Sequence, residues 1–264
     1  MVRTGTGALA CLVVLAGSAL VAGGEDAAAP AGMVPIPGGE FSRGLTFQWA
    51  DYDVKWYPNP AKDDTPARKI HVDAFYMDQA EVTNQRYAAF IRATGHRAPY
   101  NWRDGKTPQG RESYPVTGVS WDDAAEFCRW EGKRLPTEAE WERAARGNHE
   151  GAMYPWGDRK ITPEDAVYNQ VDGPRAVCSK TKNDYGLCDM TGNVWEWCAD
   201  WYGQHYYQDA PDRNPKGPDT GMYRVLRGGS WFDVPPLFLT VSYRSWARQN
   251  ERSPTIGFRC VVKP

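Results

Sequence analysis

The sequence carries no strong excess of charge and no basic stripe along any segment. Its 31 Lys and Arg residues nearly balance 33 Asp and Glu residues, which gives a formal net charge of -2 at pH 7. A surface that binds nucleic acid normally carries clustered cations, because most of its affinity comes from the phosphate backbone. The composition therefore predicts no nucleic-acid partner.

The sequence also lacks long apolar runs, apart from one near its N-terminus, and no internal repeat is visible. That run, residues 8–22, follows Arg3 and precedes the Ala-rich residues 27–31. It is typical of a secretory signal, because about 18 or more apolar residues are normally needed to span a bilayer. We predict a signal peptide at residues 1–24, a tether at 25–31 and one domain at 32–264, with an uncleaved membrane anchor as the alternative. The mature chain is then secreted or periplasmic and has no membrane span.

No segment has the periodicity of a long helix, and the chain is rich instead in aromatic and turn-forming residues, with 12 Trp, 14 Tyr, 26 Gly and 20 Pro. Three short helices are predicted to begin after Thr83 or Asn84, Ser120 and Thr137, since each can cap a helix N-terminus. Strands are predicted at 70–76, 223–227 and 256–262. Four carboxylates are interpreted as helix caps rather than as a catalytic acid and base: Asp122, Asp123, Glu138 and Glu140. The pattern predicts an α+β fold with much irregular backbone.

Cysteine is scarce, with six in the whole chain, and Cys11 lies inside the apolar run. The other five would be in a compartment that favours disulfides. Cys178 and Cys188 lie ten residues apart around a turn-rich segment that can bring them together, although spacing alone does not fix a pairing. A metal site formed by Cys178, Cys188, Cys198 and His205 is the alternative.

Several sequence blocks follow one another in an order that indicates a family: residues 32–44, 73–78, Glu81-Val82-Thr83-Asn84, Gly132-Lys133-Arg134-Leu135-Pro136-Thr137-Glu138, Gly192-Asn193-Val194-Trp195-Glu196-Trp197, Arg227-Gly228-Gly229-Ser230-Trp231 and Gly257-Phe258-Arg259. With these blocks the chain resembles the formylglycine-generating enzyme, or sulfatase-modifying factor, family over almost the whole predicted domain. The resemblance implies a large variant of the C-type-lectin-like fold with little regular secondary structure, and usually bound calcium.

The resemblance also implies an active site that this chain does not complete. Working enzymes of the family use two cysteines that bind copper and, with oxygen, oxidise a cysteine of a sulfatase to formylglycine. The first cysteine corresponds to Asp233, and the second to Phe238 or, with a two-residue insertion, to Thr240. Copper(I) prefers sulfur donors, and these residues offer only hard oxygen or no ligand. We therefore predict no copper site and no copper-dependent formylglycine formation.

The family's other cysteines imply a disulfide between Cys128 and Cys260. A second family disulfide would need cysteines at Ala145 and Ser245, and both are absent here. Cys198 is then predicted to be a buried, unreactive thiol.

The resemblance further implies a structural calcium site and a binding cleft. The calcium ligands correspond to Asp189, Gly192, Val194 and Glu196, whose carboxylate and carbonyl oxygens suit a hard cation. A second family calcium site carries over only at Asn169. The cleft corresponds to Ser230, Trp231, Asp233 and Arg248. Nearby aromatic residues are interpreted mainly as core: Trp195, Trp197, Trp201, Tyr202, Trp231, Phe232 and Trp246.

We predict a noncatalytic binding or scaffold module that holds a peptide, a protein or a glycan in the former substrate cleft. One alternative is a family oxidoreductase, a protein oxidation or maturation factor, whose metal ligands would include Asp233 or His205. The other alternative is a formylglycine-generating oxidase with displaced ligands.

Overall fold

The computed structural model describes residues 1–2, 29–46, 63–234 and 237–264. The predicted signal peptide lies almost entirely outside these ranges, as does much of the predicted tether. No helix in the described ranges is both long and apolar enough to cross a membrane.

Regular elements of the described residues are short and are joined by long irregular segments. The strands are β1 (Met33–Ile36), β2 (Gly39–Arg43), β3 (Arg68–Val72), β4 (Phe75–Asp78), β5 (Trp195–Trp201), β6 (Tyr223–Arg227), β7 (Ser245–Arg248), β8 (Ile256–Gly257) and β9 (Val261–Val262). The helices are α1 (Asn84–Thr94), α2 (Trp121–Trp130), α3 (Glu138–Arg146) and the single turn α4 (Tyr206–Asp209).

The three predicted helices are confirmed, together with their caps. The Thr83 hydroxyl accepts a hydrogen bond from the third residue of α1, and the helix ends at Gly95, which has a φ of 73°. Ser120 and Asp123 form a reciprocal capping box at the start of α2, as do Thr137 and Glu140 at the start of α3. Local sequence alone was sufficient for these helices because their end signals lie within a few residues.

The prediction of one strand over residues 70–76 is wrong. β3 and β4 belong to different sheets, and the buried positions change from Ile70 and Val72 to Phe75 and Met77. At the break, the Asp73 N–H donates to the Asn214 side chain at 2.9 Å instead of to a strand. The single strand over 256–262 is likewise wrong, because β8 and β9 join separate sheets.

The sheets meet around two apolar clusters. β1, β4 and β9 form one sheet and β2 pairs with β3, and these five strands pack with α3 around one cluster that includes Phe41, Phe75 and Trp141. The second cluster lies between α1, α2 and the sheet ordered β7-β6-β5-β8, and includes Tyr87 and Phe127. The Cys128–Cys260 disulfide, which joins residues 132 positions apart, lies in this second cluster.

A buried ion network fastens β6 to α3. Arg227, the last residue of β6, donates to Glu138 at 3.1 Å and to Glu142 at 2.8 Å. Arg244 donates to both oxygens of Glu138 at 2.6 and 2.9 Å, and Arg146 donates to Glu142 at 2.7 and 3.0 Å. Glu138 is therefore an ion-pair partner, which corrects its interpretation as a helix cap. The network fixes the position from which the chain enters the Ser230 turn.

Candidate functional site

The turn after β6 carries three of the four predicted cleft residues. Gly229 has a φ of 77°, and an added Cβ there would lie 2.8 Å from a backbone oxygen of Phe238, so only glycine fits without strain. The Ser230 N–H and hydroxyl both donate to Asp233 Oδ2, at 2.9 and 2.6 Å. Burial raises the pKa of Asp233, and these hydrogen bonds oppose that effect. The Asp233 carboxylate is thus directed back onto Ser230.

The residues that correspond to the family's second copper cysteine have structural contacts. Thr240 is buried, and its hydroxyl donates to the Leu237 carbonyl at 3.1 Å. Phe238 packs edge-on against Tyr243 with ring centroids 5.1 Å apart. Neither position presents a sulfur or nitrogen donor to a metal.

No exposed thiol occurs in the part of the chain that the structure describes. Cys178 and Cys188 form a disulfide, which excludes a metal site built on their thiolates. Cys198 is a free and fully buried cysteine, and burial raises the pKa of its thiol well above the usual range. A thiolate is the reactive and metal-binding form of cysteine, and burial disfavours it at Cys198, although the charge of Arg227 partly opposes that effect on the pKa. The structure confirms a free, buried thiol at Cys198, and its lack of reactivity stays a prediction.

Trp231 lies at one wall of a groove of about 450 Å³. The other walls include Trp102, Tyr114 and Arg111. The Trp231 N–H donates to the Asn193 carbonyl at 2.8 Å, which holds the residue against the chain segment before β5. Val171 lines the groove and is 91% exposed, and Phe232 and Val234, which follow Trp231 in the chain, are 62% and 56% exposed. This face combines a concave aromatic wall with exposed apolar groups.

Arg248 is not brought together with Ser230. It lies on β7 opposite Tyr223, the first residue of β6, whereas Ser230 lies three residues beyond Arg227, the last residue of β6. A strand rises about 3.4 Å per residue, so β6 separates these positions by more than 10 Å along the sheet. Ser230, Trp231 and Asp233 form one local site, and Arg248 lies at the other end of the sheet.

Residues 189–193 form a tight turn beside the Ser230 turn. Asp189, Gly192 and Asn193 all have positive φ angles, of 54°, 76° and 59°. The Gly192 N–H donates to the Gly228 carbonyl at 2.8 Å, and an added Cβ on Gly192 would lie 2.3 Å from the Val167 oxygen. The predicted calcium turn and the predicted cleft turn are thus directly hydrogen-bonded to each other.

The two carboxylates predicted to bind calcium have different environments. Glu196 is an ion-pair partner: Arg259 donates to its two oxygens at 2.6 and 2.7 Å, and the Trp141 indole N–H donates to it at 2.9 Å. Asp189 accepts the Cys178 N–H at 2.7 Å through Oδ2. Burial raises the pKa of Asp189, and hydrogen bonds from the Cys178 N–H and the Glu81 side chain oppose that effect.

Glu81 is a further member of this site that sequence reasoning did not select. Its Oε1 accepts from the Asn193 amide at 2.9 Å, and its carboxyl group is hydrogen-bonded to Asp189. Burial raises the pKa of Glu81 well above the usual range, and the charge of Asp189 adds to that effect. Glu81 was visible only as part of a family block, because nothing in its spacing relates it to a turn more than a hundred residues later.

Asn169 lies near the cleft turn rather than among these carboxylates. Its N–H donates to the Asp233 carbonyl at 2.9 Å, and its φ is 49°. Asn169 lines a small pocket together with Arg175 and Lys180, so the surroundings of Asn169 carry positive charge.

Comparisons with known proteins agree with this architecture. Residues 20–264 match the family model described as "Sulfatase-modifying factor enzyme 1-like domain". The chain is 37% identical to the formylglycine-generating enzyme of Streptomyces coelicolor, across 87% of this chain and 88% of that protein. It is 30% identical to inactive C-alpha-formylglycine-generating enzyme 2 of Bos taurus, across 87% of each chain.

Among solved structures, PvdO from Pseudomonas aeruginosa superimposes with a TM-score of 0.73, at 26% identity, over 88% of this chain and 94% of that one. This similarity confirms the expected fold, the formylglycine-generating-enzyme variant of the C-type-lectin-like fold. The matched domain, the relatives and the shared architecture together establish that the chain belongs to the formylglycine-generating enzyme, or sulfatase-modifying factor, family.

Proposed function

We propose that the chain is a secreted or periplasmic binding module of its family that does not form formylglycine by the copper route. The proposal rests on the residues that occupy the positions of the family's two copper-binding cysteines. Asp233 is hydrogen-bonded to Ser230, and Thr240 is buried against Leu237. A copper(I) site needs soft donors, and the described cysteines are either in disulfides or buried.

The bound partner is a peptide segment of another protein, held in the groove beside Trp231. Exposed apolar side chains beside an aromatic-lined groove are typical of protein interaction sites. Arg111 is exposed at this groove and stacks on Tyr114, with its guanidinium carbon 5.1 Å from the ring centroid. The groove therefore offers aromatic and apolar contacts for side chains and one cation for an acidic group.

An oxidation assay tests the missing chemistry. The purified chain is incubated with copper, oxygen and a sulfatase-motif peptide, with the Streptomyces coelicolor enzyme as the positive control. We expect no formylglycine from this chain by mass spectrometry. Formylglycine that persists in a Cys198→Ser variant and disappears in an Asp233→Ala variant would overturn the proposal.

A selection experiment tests the binding role. Peptides from a random display library are selected on the purified chain, and their dissociation constants are measured for the groove variants Trp231→Ala and Tyr114→Ala and for the control Met222→Ser. Met222 is also an exposed apolar residue but does not line the groove. We expect at least about tenfold weaker binding in the groove variants only, because a buried aromatic anchor typically contributes more than 1.4 kcal/mol. Selected peptides that bind all variants equally would contradict the proposed site.

Calcium is the proposed structural cofactor. Asp189 and Glu81 are adjacent buried carboxyl groups, and carboxylate oxygen is the type of ligand that calcium prefers. We expect calcium in the purified chain by elemental analysis and a lower melting temperature after chelation. No retained calcium together with an unchanged melting temperature would remove this part of the proposal.

The proposed location outside the cytosol is supported by the two disulfides. A fusion of the N-terminal segment to alkaline phosphatase tests it in a bacterial host, since that reporter is active only after export. An inactive reporter would contradict the location.

A further inference from the structure

A cavity of about 540 Å³ opens between the turn that joins β3 to β4, the start of α3 and the segment that follows α4. None of its lining residues lines the groove beside Trp231, so the cavity is separate from the proposed peptide site. Pockets that hold small molecules usually enclose about 300–1,000 Å³. This cavity, which we call the β3–β4 cavity, is therefore large enough for a small organic molecule.

Contacts between distant parts of the chain hold the cavity wall in place. The Asn214 N–H donates to the His71 carbonyl at 2.8 Å, and the Asn214 side chain accepts the Asp73 N–H at 2.9 Å. Lys216, two residues further on, lies in the same wall, and so does Lys263, which directly follows β9. The tertiary structure thus brings two lysines from separate segments to one concave site.

The two carboxylates of the cavity wall already have cationic partners. Arg134 donates to both oxygens of Glu140, at 2.6 Å each. Asp73 pairs with Arg213 and also accepts the Asn214 amide at 2.8 Å. Each carboxylate is therefore compensated by an arginine, and neither is left to neutralise a lysine.

Lys216 and Lys263 have no such compensation. Neither ammonium group forms an ion pair with a carboxylate of the ranges that the structure describes. Asp200 interacts with Arg134 from outside the cavity, but burial raises the pKa of Asp200 to about 8, so this group is largely uncharged at neutral pH. A concave site with uncompensated charges of one sign attracts ligands of the opposite sign. The β3–β4 cavity therefore favours an anion.

The rest of the wall is apolar or able to donate a hydrogen bond. Val72 is 1% exposed and lines the cavity together with Ala74 and Ala199. The Thr137 hydroxyl accepts the Glu140 N–H at 3.2 Å, and a hydroxyl that accepts still carries one hydrogen to donate. This lining suits a ligand that carries its negative groups on a short carbon chain.

We propose that the β3–β4 cavity binds a small organic dianion, whose two negative groups are held by Lys216 and Lys263 while its carbon chain lies against the apolar wall. The ligand is a dicarboxylate or a phosphate monoester. Both carry close to two negative charges at neutral pH, and lysine binds either of them as a point charge. This binding activity is separate from the proposed peptide and calcium sites.

Isothermal titration calorimetry of the full chain tests the site at neutral pH and about 0.01 M ionic strength, where the Debye length is about 30 Å and screening is weak. The probes are glutarate and glycerol phosphate, which separate a dicarboxylate from a phosphate monoester, and uncharged glutaramide is the control ligand. The variants are Lys216→Gln, Lys263→Gln and Ala74→Phe, the last of which fills the cavity without changing any charge. Lys182→Gln is the matched control, because Lys182 is also exposed but does not line the cavity.

For the wild type we expect one molecule of glutarate or glycerol phosphate bound per chain, with a dissociation constant below about 1 mM, and no binding of glutaramide. Each cavity lysine variant should bind the dianion about five- to tenfold more weakly, an effect between that of an exposed ion pair and that of a buried charged hydrogen bond. Ala74→Phe should weaken binding by at least about tenfold, because the space for the ligand is lost. Lys182→Gln should change the affinity by less than about twofold.

Several results would overturn the proposal. Absence of binding by both dianions at about 10 mM would mean that the cavity accepts neither. Equal weakening by Lys182→Gln, or unchanged binding in Ala74→Phe, would mean that the dianion is attracted by surface lysines in general. Equal binding of glutaramide would mean that charge is not recognised.

Near-ultraviolet circular dichroism reports the fold of each variant, and the two exposed lysine variants keep the test decisive if Ala74→Phe does not fold. Peptide binding at Trp231 should be unchanged in all four variants. Failure of the dianion site is therefore distinguishable from failure of the proposed function.

Discussion

Replacement of Glu142 by glutamine tests the ion network that positions the Ser230 turn. Glu142 is fully buried and accepts hydrogen bonds from Arg146, from Arg227 and, at 2.8 Å, from the Gly44 N–H. Glutamine keeps the size of the side chain but removes the charge. Its amide group also places donors opposite the guanidinium donors, so part of the hydrogen bonding is lost too.

The expected loss of stability depends on which acceptors Arg227 and Arg146 retain after the substitution. Arg227 retains Glu138 at 3.1 Å, which it already shares with Arg244. Arg146 retains only uncharged acceptors, including the Gly44 carbonyl at 2.7 Å. Removing one partner of a buried ion pair typically costs about 3–5 kcal/mol, because the other charge stays buried. We expect a loss of about 4 kcal/mol, which for a domain of this size lowers the melting temperature by about 8–16 °C.

Urea unfolding at neutral pH and constant calcium, followed by tryptophan fluorescence and circular dichroism, measures this loss. Glu126→Gln is the matched control. The Glu126 side chain is 47% exposed and pairs with His96 at 3.1 Å, and a partly exposed pair of this kind contributes less than about 1 kcal/mol to stability. The reasoning would be refuted if Glu142→Gln lost no more stability than Glu126→Gln. That result would mean that Arg146 and Arg227 find sufficient compensation elsewhere.

Two further predictions concern stability. Replacing Cys128 and Cys260 by serine should lower the free energy of unfolding by about 5 kcal/mol, and replacing Cys178 and Cys188 should lower it by about 3 kcal/mol, because the disulfides close loops of 132 and 10 positions. Urea unfolding of the two double variants measures both losses, and the reverse order would refute the prediction. Burial alone would raise the pKa of Asp123, but hydrogen bonds from a neighbouring guanidinium and the α2 N-terminus lower it to about 2. Since this value lies below the unfolded value of about 4, the stabilisation is present above about pH 4 and is lost as the pH falls through about 2. Asp123→Asn should therefore lower the free energy of unfolding by about 1–2 kcal/mol near neutral pH, a value reduced because the Arg97 guanidinium is half exposed. The difference in stability from the wild type should become smaller on acidification. A difference that does not depend on pH would contradict this prediction.

The candidate site was predictable where its residues are neighbours in the chain. The family resemblance assigned Ser230, Trp231 and Asp233 to the cleft, and because they are neighbours in the chain they remain together in one turn. Arg248 was assigned to the same cleft from a family motif, yet the pairing of β7 with β6 carries it to the other end of the sheet. Register between strands depends on side-chain packing across the sheet, which a spacing along the chain does not contain.

The carboxylates show the same limit more clearly. Glu138 and Glu140 both lie in the first turn of α3, and the sequence predicts both as helix caps. Glu140 caps the helix, whereas Glu138 faces the two arginines that β6 and the segment before β7 bring to it. The role of a charged residue depends on which distant charge it meets, and that is decided by the packing of the sheets.

The sequence by itself determined the family, the three capped helices, and the absence of cysteine at the copper positions, because each of these depends on residue identity or on signals a few residues apart. Only the tertiary structure decided that two continuous apolar alternations would split between sheets. It also decided that Glu196 would pair with Arg259 and that Glu81 would be hydrogen-bonded to Asp189. Burial and charge pairing join residues that are far apart in the chain, and their energies exist only once the backbone has brought those groups together.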